Sequence, residues 1–512
     1  MRRLLSLLLL LDLLALAGFV RPLRFSSHFP GATLALFDII GHNYGATWRY
    51  TALVAALVAL FLAAHTLAGE LRGGRLTYLV FGGAALLSLT YLLLYPATSS
   101  DLFHYVMEGR ILWVHHQNPF TVPPAFYPHD PFYLVNGWDI VVWETLPSPY
   151  GPLWAVLTAL PLLLGHGDLL WTFMAFKLLA IAFYFLGAVA IFHTVRYLRP
   201  GKEWAATLLF TWNPLVLLYV AGNGANDVIM MGFTLLALYL GVRGRWNVAF
   251  PVLALATLVK FVSAVLIPVF VVYAVLTTPR EQWRGLATAL GLSALLGLLL
   301  YAPFWRGQLT FTTLRYQASQ FTDSPGALLK TALDKVLTLN DAIVITKVIF
   351  FSTLAAAYAL VLWGMIKRRA RLTPDDLPSA CFAVICAYLM LAVFWFQPWY
   401  LLWLISLGAL TVGVRQRVTL LFTFTGLLTH TATAIAAIEG WYYFSPELPG
   451  RPLLEIGGVL VLVFLAPGLY IGAALLSRTR QGQALIARLP RSGAGPRTPA
   501  VGSAGGAPAA GD

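Results

Sequence analysis

The chain has 512 residues, 59% of them hydrophobic and 11% charged, and its mean hydropathy is +0.76. These values lie far from the composition of soluble domains and exclude a soluble globular protein. The net charge of +13 does not indicate nucleic-acid binding, because the basic residues form short clusters between apolar runs, as in membrane proteins whose basic loops face the cytoplasm.

Apolar runs of about 16 to 25 residues recur along the chain, long enough to cross a hydrocarbon core of roughly 30 Å. The first run, after Met1-Arg2-Arg3, also fits a secretory signal peptide, but a retained helix agrees better with the many later runs. We therefore predict an all-α polytopic membrane protein with about 13–14 transmembrane helices. The predicted crossings lie at residues 4–20, 51–68, 77–95, 169–195, 204–220, 227–243, 246–260, 262–278, 285–303, 343–366, 379–396, 399–414, 418–436 and 453–476.

The clusters of Arg and Lys between these runs predict which loops face the cytoplasm. They alternate from side to side if the short run 151–165 enters the membrane without crossing it, although Arg21 and Arg24 break the pattern. Both chain ends and loop 196–203 are then cytoplasmic, and loop 221–226 is external. The acidic residues predicted outside are Asp101, Glu108, Asp130, Asp139, Glu144, Asp227, Asp323, Glu439 and Glu447.

The predicted organisation is a membrane-embedded region, residues 1–488, followed by a tail, residues 489–512. The tail is rich in Gly, Ala and Pro, so we expect it to be disordered and cytoplasmic. Two external segments interrupt the membrane region. One is a loop at 96–152 that carries the candidate catalytic groups, and the other, 304–341, is expected to form one or two amphipathic helices of a lid.

The loop 96–152 begins with a polar pattern of helical spacing. Asp101, His104, Tyr105 and Glu108 lie at i, i+3, i+4 and i+7, which places them on one face of a helix. We predict a helix at the membrane surface with its acids turned towards water. The Pro- and aromatic-rich residues 118–133 cannot continue as regular helix, and we expect them to cap the site.

Asp101 is the candidate general base. A carboxylate at the lipid–water boundary loses part of its hydration, so its pKa rises and it becomes a better proton acceptor. The alternative is a structural role at a helix N-terminus, because Ser99-Ser100-Asp101 is favourable capping sequence. The polar residues that accompany it favour a binding site: His104, Glu108, Arg110, His115 and His116.

Three later segments carry further candidate substrate contacts. Asn226-Asp227 ends a Gly- and Asn-rich turn, where simple turn chemistry explains these residues as well as sugar binding does. Lys260 lies between two short runs, where it either snorkels to the interface or meets a phosphate. Gln397-Pro398-Trp399-Tyr400 separates two spans, although Trp and Tyr are also expected there as interfacial anchors.

One ordered set of motifs extends over about residues 90–410: Asp101, Tyr105, Gly109-Arg110, Asn118-Pro119-Phe120, Pro149-Tyr150-Gly151-Pro152-Leu153, Trp212-Asn213-Pro214-Leu215-Val216, Asn226-Asp227, Val259-Lys260 and Pro398-Trp399-Tyr400-Leu401-Leu402-Trp403. This order resembles the polyprenyl-phosphate-mannose-dependent α-mannosyltransferases of the GT-C superfamily, above all the α-(1→6) enzymes of actinobacterial lipomannan synthesis. The resemblance implies a GT-C type bundle with interfacial helices in its first large external loop.

The resemblance also implies roles for residues. The acid of the first external loop is the catalytic base of that family, which is Asp101 here, and the donor is a lipid-phosphate sugar. Such donors carry β-linked mannose in related enzymes, so an α product implies inversion by a single displacement. Arg110, His116 or Lys260 could then stabilise the leaving phosphate. Ala225 stands where the family pattern has a His, which leaves the exact donor or acceptor open.

We thus expect a polyprenyl-phosphate-sugar-dependent hexosyltransferase, a mannosyltransferase acting on a glycan or glycolipid acceptor at the extracytoplasmic side of the plasma membrane. The sequence identifies no cofactor and leaves a divalent metal open. The alternatives are a transporter or flippase of lipid-linked sugars and a non-catalytic scaffold. A transporter should carry charged residues deep within its helices, and in this sequence Asp12 and little else qualifies. The expected substrate contacts are His104, Tyr105, Glu108, Arg110, His116, Tyr150, Asn226, Asp227, Lys260, Gln397, Trp399 and Tyr400.

Overall fold

The protein is all-α in the computed structural model, which describes residues 1–24, 36, 40–134, 143–440 and 451–477. Extended pairing within these ranges amounts to two isolated bridges, Arg24 with Leu94 and Thr322 with Trp395. The prediction of an all-α polytopic membrane protein is confirmed. Asp139, Glu447 and the tail 489–512 lie outside the described residues, so the expectations about them stay predictions.

The helices are labelled in chain order: α1 Arg2–Val20, α2 Tyr44–Glu70, α3 Arg75–Leu92, α4 Asp101–Trp113, α5 Pro152–Gly165, α6 Leu169–Leu198, α7 Glu203–Thr211 with Pro214–Gly222, α8 Asp227–Val242, α9 Trp246–Val259, α10 Phe261–Thr277, α11 Arg280–Phe304, α12 Thr312–Gln317, α13 Pro325–Leu333, α14 Leu339–Lys367, α15 Asp376–Leu391, α16 Pro398–Gly408, α17 Val414–Ile438 and α18 Leu453–Leu476. Short helical turns lie at Pro124–Phe126, Pro131–Leu134, Trp143–Thr145 and Arg369–Arg371. The chain divides into two compact units, Met1–Pro467 and Gly468–Asp512. The described residues of the second unit, 468–477, are helical up to Leu476.

Eight of the described helices are long and apolar enough to cross a membrane, or nine if the two parts of α7, bent by 47°, form one span. Every predicted crossing coincides with a helix, but α8, α9, α10, α15 and α16 have only 10–17 residues. Helix length alone therefore supports fewer crossings than the predicted total of about 13–14. Polar breaks at Asn226, Lys260 and Gln397 shorten these helices, and all three breaks belong to the candidate site.

The interior is built around α8, which packs against both α6 and α9, and around α7 and α16, whose side chains are nearly all buried. Small residues permit the close approach of these helices. A Cβ on Gly232 of α8 would lie only 2.9 Å from the carbonyl oxygen of Phe183 on α6. The short helices with polar breaks are thus held inside the bundle rather than at its lipid-facing surface.

Helix α4 is buried, which corrects the prediction of a surface helix with its acids turned towards water. Residues 102–109 are all buried, and the exposed fractions of His104 and Glu108 are 3% and 2%. Helices α5 and α6 cover α4, and a Cβ on Gly109 would lie 2.9 Å from Cβ of Thr158 on α5. The spacing correctly placed the polar residues on one face, but that face packs against protein.

Lys177 is a buried ionisable residue within α6 that the sequence analysis did not single out. It is fully buried, and its Nζ donates hydrogen bonds to the carbonyl oxygens of Leu92 at 2.8 Å and Leu94 at 2.6 Å. An amino group placed there satisfies carbonyls left unpaired at and just beyond the C-terminus of α3. The expectation that Asp12 and little else carries charge within a helix was therefore wrong.

The segment 304–341 contains two short helices, α12 and α13, and a stretch between them that pairs with the chain before α16. The amide of Thr322 donates to the carbonyl of Phe394 at 2.9 Å, and the amide of Phe396 donates to the carbonyl of Thr322 at 3.1 Å. Phe321, Phe394 and Ile456 form a buried apolar cluster beside this bridge. The bridge thus connects the segment to the residues that lead into Gln397.

Candidate active site

A cavity of about 790 Å³ lies among the ends of several helices and is large enough for an extended organic ligand. Its wall includes the first turn of α4, the loop before α5, the break between α9 and α10, and the chain before α16. Seven of the predicted site residues line it: Asp101, His104, Tyr150, Lys260, Gln397, Trp399 and Tyr400.

Asp101 opens α4 and points its carboxylate at two tyrosines. The hydroxyls of Tyr105 and Tyr150 lie 3.4 and 3.3 Å from its Oδ2, at the long end of the hydrogen-bond range. Its own amide donates to Oγ of Ser99 at 3.2 Å. The N-cap of α4 is Ser100, without a side-chain capping bond, so the structure does not support the capping explanation for Asp101.

The surroundings of Asp101 favour its protonated form. Burial raises the pKa of the carboxyl group above its usual value of 3.8, and the nearby charge of Asp227 raises it further, while Lys260 and His104 act to lower it. Two hydroxyl groups and one cation thus only partly replace the water lost on burial. A carboxylate with a raised pKa is a stronger base, as proton abstraction requires.

Lys260 lies between α9 and α10 in extended conformation, with φ −152° and ψ 130°. Its Nζ forms an ion pair with both oxygens of Asp227, at 2.8 and 2.9 Å, and Nε1 of Trp403 donates to Asp227 Oδ1 at 2.6 Å. The ammonium also lies 5.4 Å from the ring centroids of Tyr150 and of Tyr400. A cation surrounded by aromatic rings remains 14% exposed to the cavity, whereas Asp227 is fully buried behind it.

Gly151 brings Tyr150 to Lys260. The amide of Gly151 donates to the carbonyl of Val259 at 2.9 Å, and any Cβ on Gly151 would lie 2.1 Å from the carbonyl oxygen of Leu258. Only glycine permits this approach of the loop to the end of α9. The Tyr150-Gly151-Pro152 motif therefore has a structural explanation, because it joins the two halves of the site.

Asn226 joins the Asp101 side to the Lys260 side. Its backbone N–H donates to the hydroxyl oxygen of Tyr105 at 3.3 Å, and the next residue is Asp227, the partner of Lys260. Asn226 is fully buried, and its side-chain amide finds no hydrogen-bond partner among the residues that the structure describes. Tyr105, Asn226 and Asp227 thus lie directly behind the cavity wall and hold the lining residues in position.

Three other predicted contacts lie away from this cavity. Glu108 accepts a hydrogen bond from Nε1 of Trp154 at 2.9 Å and lies 2.9 Å from Nε2 of His104. Arg110 donates to Asp130 at 2.8 Å, and His116 is exposed with a left-handed φ of 53°. Lys260 is therefore the one among the three proposed phosphate contacts that the structure places in the cavity.

Arg110 forms a separate cluster with Asp130 and His115. His115 Nε2 lies 2.8 Å from Asp130 Oδ2, and its ring stacks on Tyr127 with centroids 3.8 Å apart. Burial acts to raise the pKa of Asp130, but hydrogen bonds from Arg110 and His115 outweigh it and lower the pKa. This network binds the aromatic-rich residues 124–132 to α4, which is the structural role of a cap.

The sequence analysis missed four residues of the cavity region. Trp403, which lines the cavity, belongs to the final motif but was not singled out, although its indole orients Asp227. Asp323, Lys347 and Glu455 also line the cavity, and a charged residue within an apolar run was a usable signal for the last two. Within the described ranges, no group of three or more His, Cys, Asp or Glu side chains is placed to hold a metal ion.

Comparison with known proteins identifies relatives of one kind. The family described as "Alpha-(1->6)-mannopyranosyltransferase, N-terminal domain" matches residues 13–276, just over half of the chain. Alpha-(1->6)-mannopyranosyltransferase A of Mycobacterium tuberculosis is 25% identical over 49% of this chain and 47% of its own length. Alpha-(1->6)-mannopyranosyltransferase B of Corynebacterium glutamicum is 24% identical over 31% of this chain and 27% of its own length.

The matched region agrees with the site. It contains Asp101, Tyr150 and Lys260, which line the cavity, and Asp227, which pairs with Lys260 behind the wall, and it ends within α10. The chain spans between about a quarter and a half of the length of the curated relatives it matches. By the extent of the family match, the chain belongs to the alpha-(1->6)-mannopyranosyltransferase family.

Proposed function

We propose that this protein is a mannosyltransferase that moves mannose from a polyprenyl-phosphate sugar to a glycan or glycolipid acceptor, with Asp101 as the general base. The observation that carries the proposal is the meeting of a carboxylate of raised pKa, Asp101, and a cation, Lys260, on one cavity of a member of this family. We further propose that the protein acts in the plasma membrane with this cavity open to the extracytoplasmic side, as the distribution of basic loops predicts.

The reaction needs one base and one stabiliser of negative charge. An acceptor hydroxyl oxygen attacks the anomeric carbon of the donor as its proton passes to Asp101, and the bond to the phosphate oxygen breaks with its electron pair on the phosphate. A single displacement inverts the anomeric carbon, so a β-linked donor gives an α-linked product. The hydroxyls of Tyr105 and Tyr150 hold the Asp101 carboxylate towards the cavity, and Lys260 contacts the departing phosphate.

Asp227 moderates the charge that the phosphate meets. Asp227 pairs with Lys260, so the net charge of Asp101, Asp227 and Lys260 together is −1 when all three are ionised. Lys260 therefore attracts a phosphate less strongly than an unpaired lysine would.

The apolar wall of the cavity supports a donor that carries a lipid. The cavity wall includes Phe261 and Val265 of α10, which follow Lys260 closely in the chain, and Phe351 of α14. Phe351 is 47% exposed on a helix long and apolar enough to cross the membrane, and the hydroxyl of Tyr358 on that helix bonds the carbonyl of Val265. A lipid phosphate could enter between α10 and α14 with its chain in the bilayer and its phosphate at Lys260.

The experiment is a transfer assay with purified protein in detergent or nanodiscs. Polyprenyl phosphate carrying radiolabelled mannose is mixed with an octyl α-mannoside acceptor, and both labelled product and freed polyprenyl phosphate are measured. Equal amounts of the two products are expected. A transporter or flippase would instead move the intact donor across a liposome membrane without releasing polyprenyl phosphate, and that result would replace the proposed function.

A further inference from the structure

The cavity has a second charged end that the reaction above does not use. Asp323, Lys347 and Glu455 line it from three different elements: the segment between α12 and α13, helix α14 and helix α18. All three adjoin the apolar cluster around Phe321 and Phe394, whose rings stack with centroids 4.9 Å apart. Lys347 Nζ lies 5.8 Å from the ring centroid of Phe321, Asp323 follows Phe321 by two residues, and Glu455 precedes Ile456 of the same cluster.

The two charged ends belong to one continuous wall. Thr322 is bonded to Phe394 and Phe396, and Gln397 comes next in the chain, followed by Tyr400 against Lys260. Three residues of chain extend over at most roughly 10 Å, so Gln397 lies within that distance of Phe394 along the wall. A ligand of two or three sugar rings is long enough to reach from one end to the other.

Lys347 and Glu455 are ionisable residues within helices that are long and apolar enough to cross a membrane. Lys347 belongs to α14, which has the length and composition of a membrane span and exposes most of its other side chains. Glu455 is only 5% exposed, three residues into the apolar helix α18. Ionisable side chains in such helices are rare and usually face a polar cavity that they serve. Here both face the same cavity.

We propose that Asp323, Lys347 and Glu455 form an acceptor subsite that binds the hydroxyl groups of a neutral sugar beyond the one that reacts at Asp101. This assignment rests on the proposed function, because it presumes that a sugar hydroxyl is presented to Asp101. Carboxylates accept, and an ammonium donates, charge-assisted hydrogen bonds to hydroxyl groups. The ring of Trp395, which also lines the cavity, offers an apolar surface to the C–H face of a sugar.

The groups at this end suit an uncharged ligand. Two carboxyl groups and one ammonium offer both acceptors and donors of charge-assisted hydrogen bonds. Burial raises the pKa of Asp323 to about 7, so near neutral pH this carboxyl group both donates and accepts hydrogen bonds. Both properties fit a hydroxyl-rich, uncharged acceptor.

The test compares two acceptors, octyl α-mannopyranoside and its α-(1→6)-linked disaccharide analogue, with the wild-type chain, Lys347→Met and Glu455→Gln. For the disaccharide, each variant should raise the acceptor KM by about tenfold, the size of one lost charge-assisted hydrogen bond, and the donor KM should not change. The KM for the monosaccharide should change less, because its ring occupies the Asp101 end. Lys335 is an exposed lysine of the segment 304–341, which also contains Asp323; Lys335→Met is the control and should behave as wild type.

Calorimetric binding of the disaccharide analogue to the same proteins, without donor, separates this subsite from the reaction. Loss of binding in Lys347→Met and Glu455→Gln, with retained binding in Lys335→Met, supports the subsite even where no transfer is seen. Wild-type binding and KM in both variants would overturn the subsite while leaving the mannosyltransferase proposal intact. A polydisperse elution profile of a variant in detergent disqualifies that substitution, and Asp323→Asn then decides by the same two measurements.

Discussion

Replacement of Asp101 by Asn tests the proposed base most directly, because it retains the shape of the side chain and removes its basicity. In the structure, Asp101 Oδ2 accepts contacts from the hydroxyls of Tyr105 and Tyr150, and the amide oxygen of Asn can accept in the same place. The variant should therefore keep the site assembled. What it loses is the ability to take the proton from the acceptor hydroxyl.

The expected loss is large. General-base catalysis is typically worth about 10²–10⁴-fold, which corresponds to about 3–5 kcal/mol in the barrier at roughly 1.4 kcal/mol per decade. The kcat of Asp101→Asn should fall by that factor while the donor KM stays close to the wild-type value. A structural carboxylate in the first turn of α4 would instead leave kcat nearly unchanged, because its interaction with the helix dipole is worth only about 0.3–1 kcal/mol.

The pH dependence supplies a second measurement. Asp101 must be ionised to act, so activity should fall as the pH is lowered through its pKa, which burial holds above 3.8. The stability has the opposite sign: a carboxyl group whose pKa is raised by folding destabilises the fold once ionised, so stability falls as the pH rises through that pKa. Asp101→Asn should therefore lose the acidic limb of the activity profile and melt at the same or a higher temperature at neutral pH.

Glu108→Gln is the matched control, since Glu108 lies on the same helix two turns further on. Glu108 is only 2% exposed, its carboxylate contacts Trp154 and His104, and it does not line the cavity. Gln retains an acceptor for the indole, so kcat should change by less than about tenfold. A nearly active Asp101→Asn together with an inactive Glu108→Gln would transfer the base to Glu108, and full turnover in both would refute a single-base mechanism.

Three further outcomes are expected. Lys260→Met should raise the donor KM by about tenfold or more and the acceptor KM much less, whereas equal small effects on both would indicate a lysine that merely reaches the interface. Asp227→Asn should keep the bond from Trp403 but leave Lys260 without its counter-ion, lowering stability by about 2–3 kcal/mol; an unchanged melting temperature would contradict a structural ion pair. An impermeant maleimide should label Lys335→Cys in intact cells and Lys202→Cys, also exposed, only after permeabilisation; the reverse pattern would invert the topology.

The helices could be predicted from the sequence because a chain within lipid must satisfy its backbone hydrogen bonds internally, so each long apolar run has to be helical. Their number of crossings could not be read from the same runs. Where Lys260 and Gln397 interrupt apolar sequence, the run looks like a span, yet the helices on either side are short and buried in protein. Hydropathy measures preference for an apolar surrounding and does not distinguish lipid from a protein interior.

The site was predictable in its parts but not in its arrangement. Periodicity correctly grouped Asp101, His104, Tyr105 and Glu108 on one face of α4. It did not show which neighbours cover that face. Trp154 covers Glu108, while the first turn of the same helix opens into the cavity. The approach of Asp101 to Lys260 depends on the close packing of Gly151 against α9, which no local pattern encodes.

Lys177 connects helix α6 to the end of α3. An unpaired lysine within a membrane helix costs about 2.5–3.5 kcal/mol on insertion, so α6 enters the bilayer with an unmet demand for acceptors. The carbonyls of Leu92 and Leu94 meet that demand; Leu92 is the last residue of α3, which precedes α6 in the chain, and Leu94 follows two residues later. Helices α4 and α5 lie in the connection between α3 and α6 and pack on each other, and α6 contacts both. The hydrogen bonds of Lys177 therefore also hold together the two ends of the connection that carries Asp101.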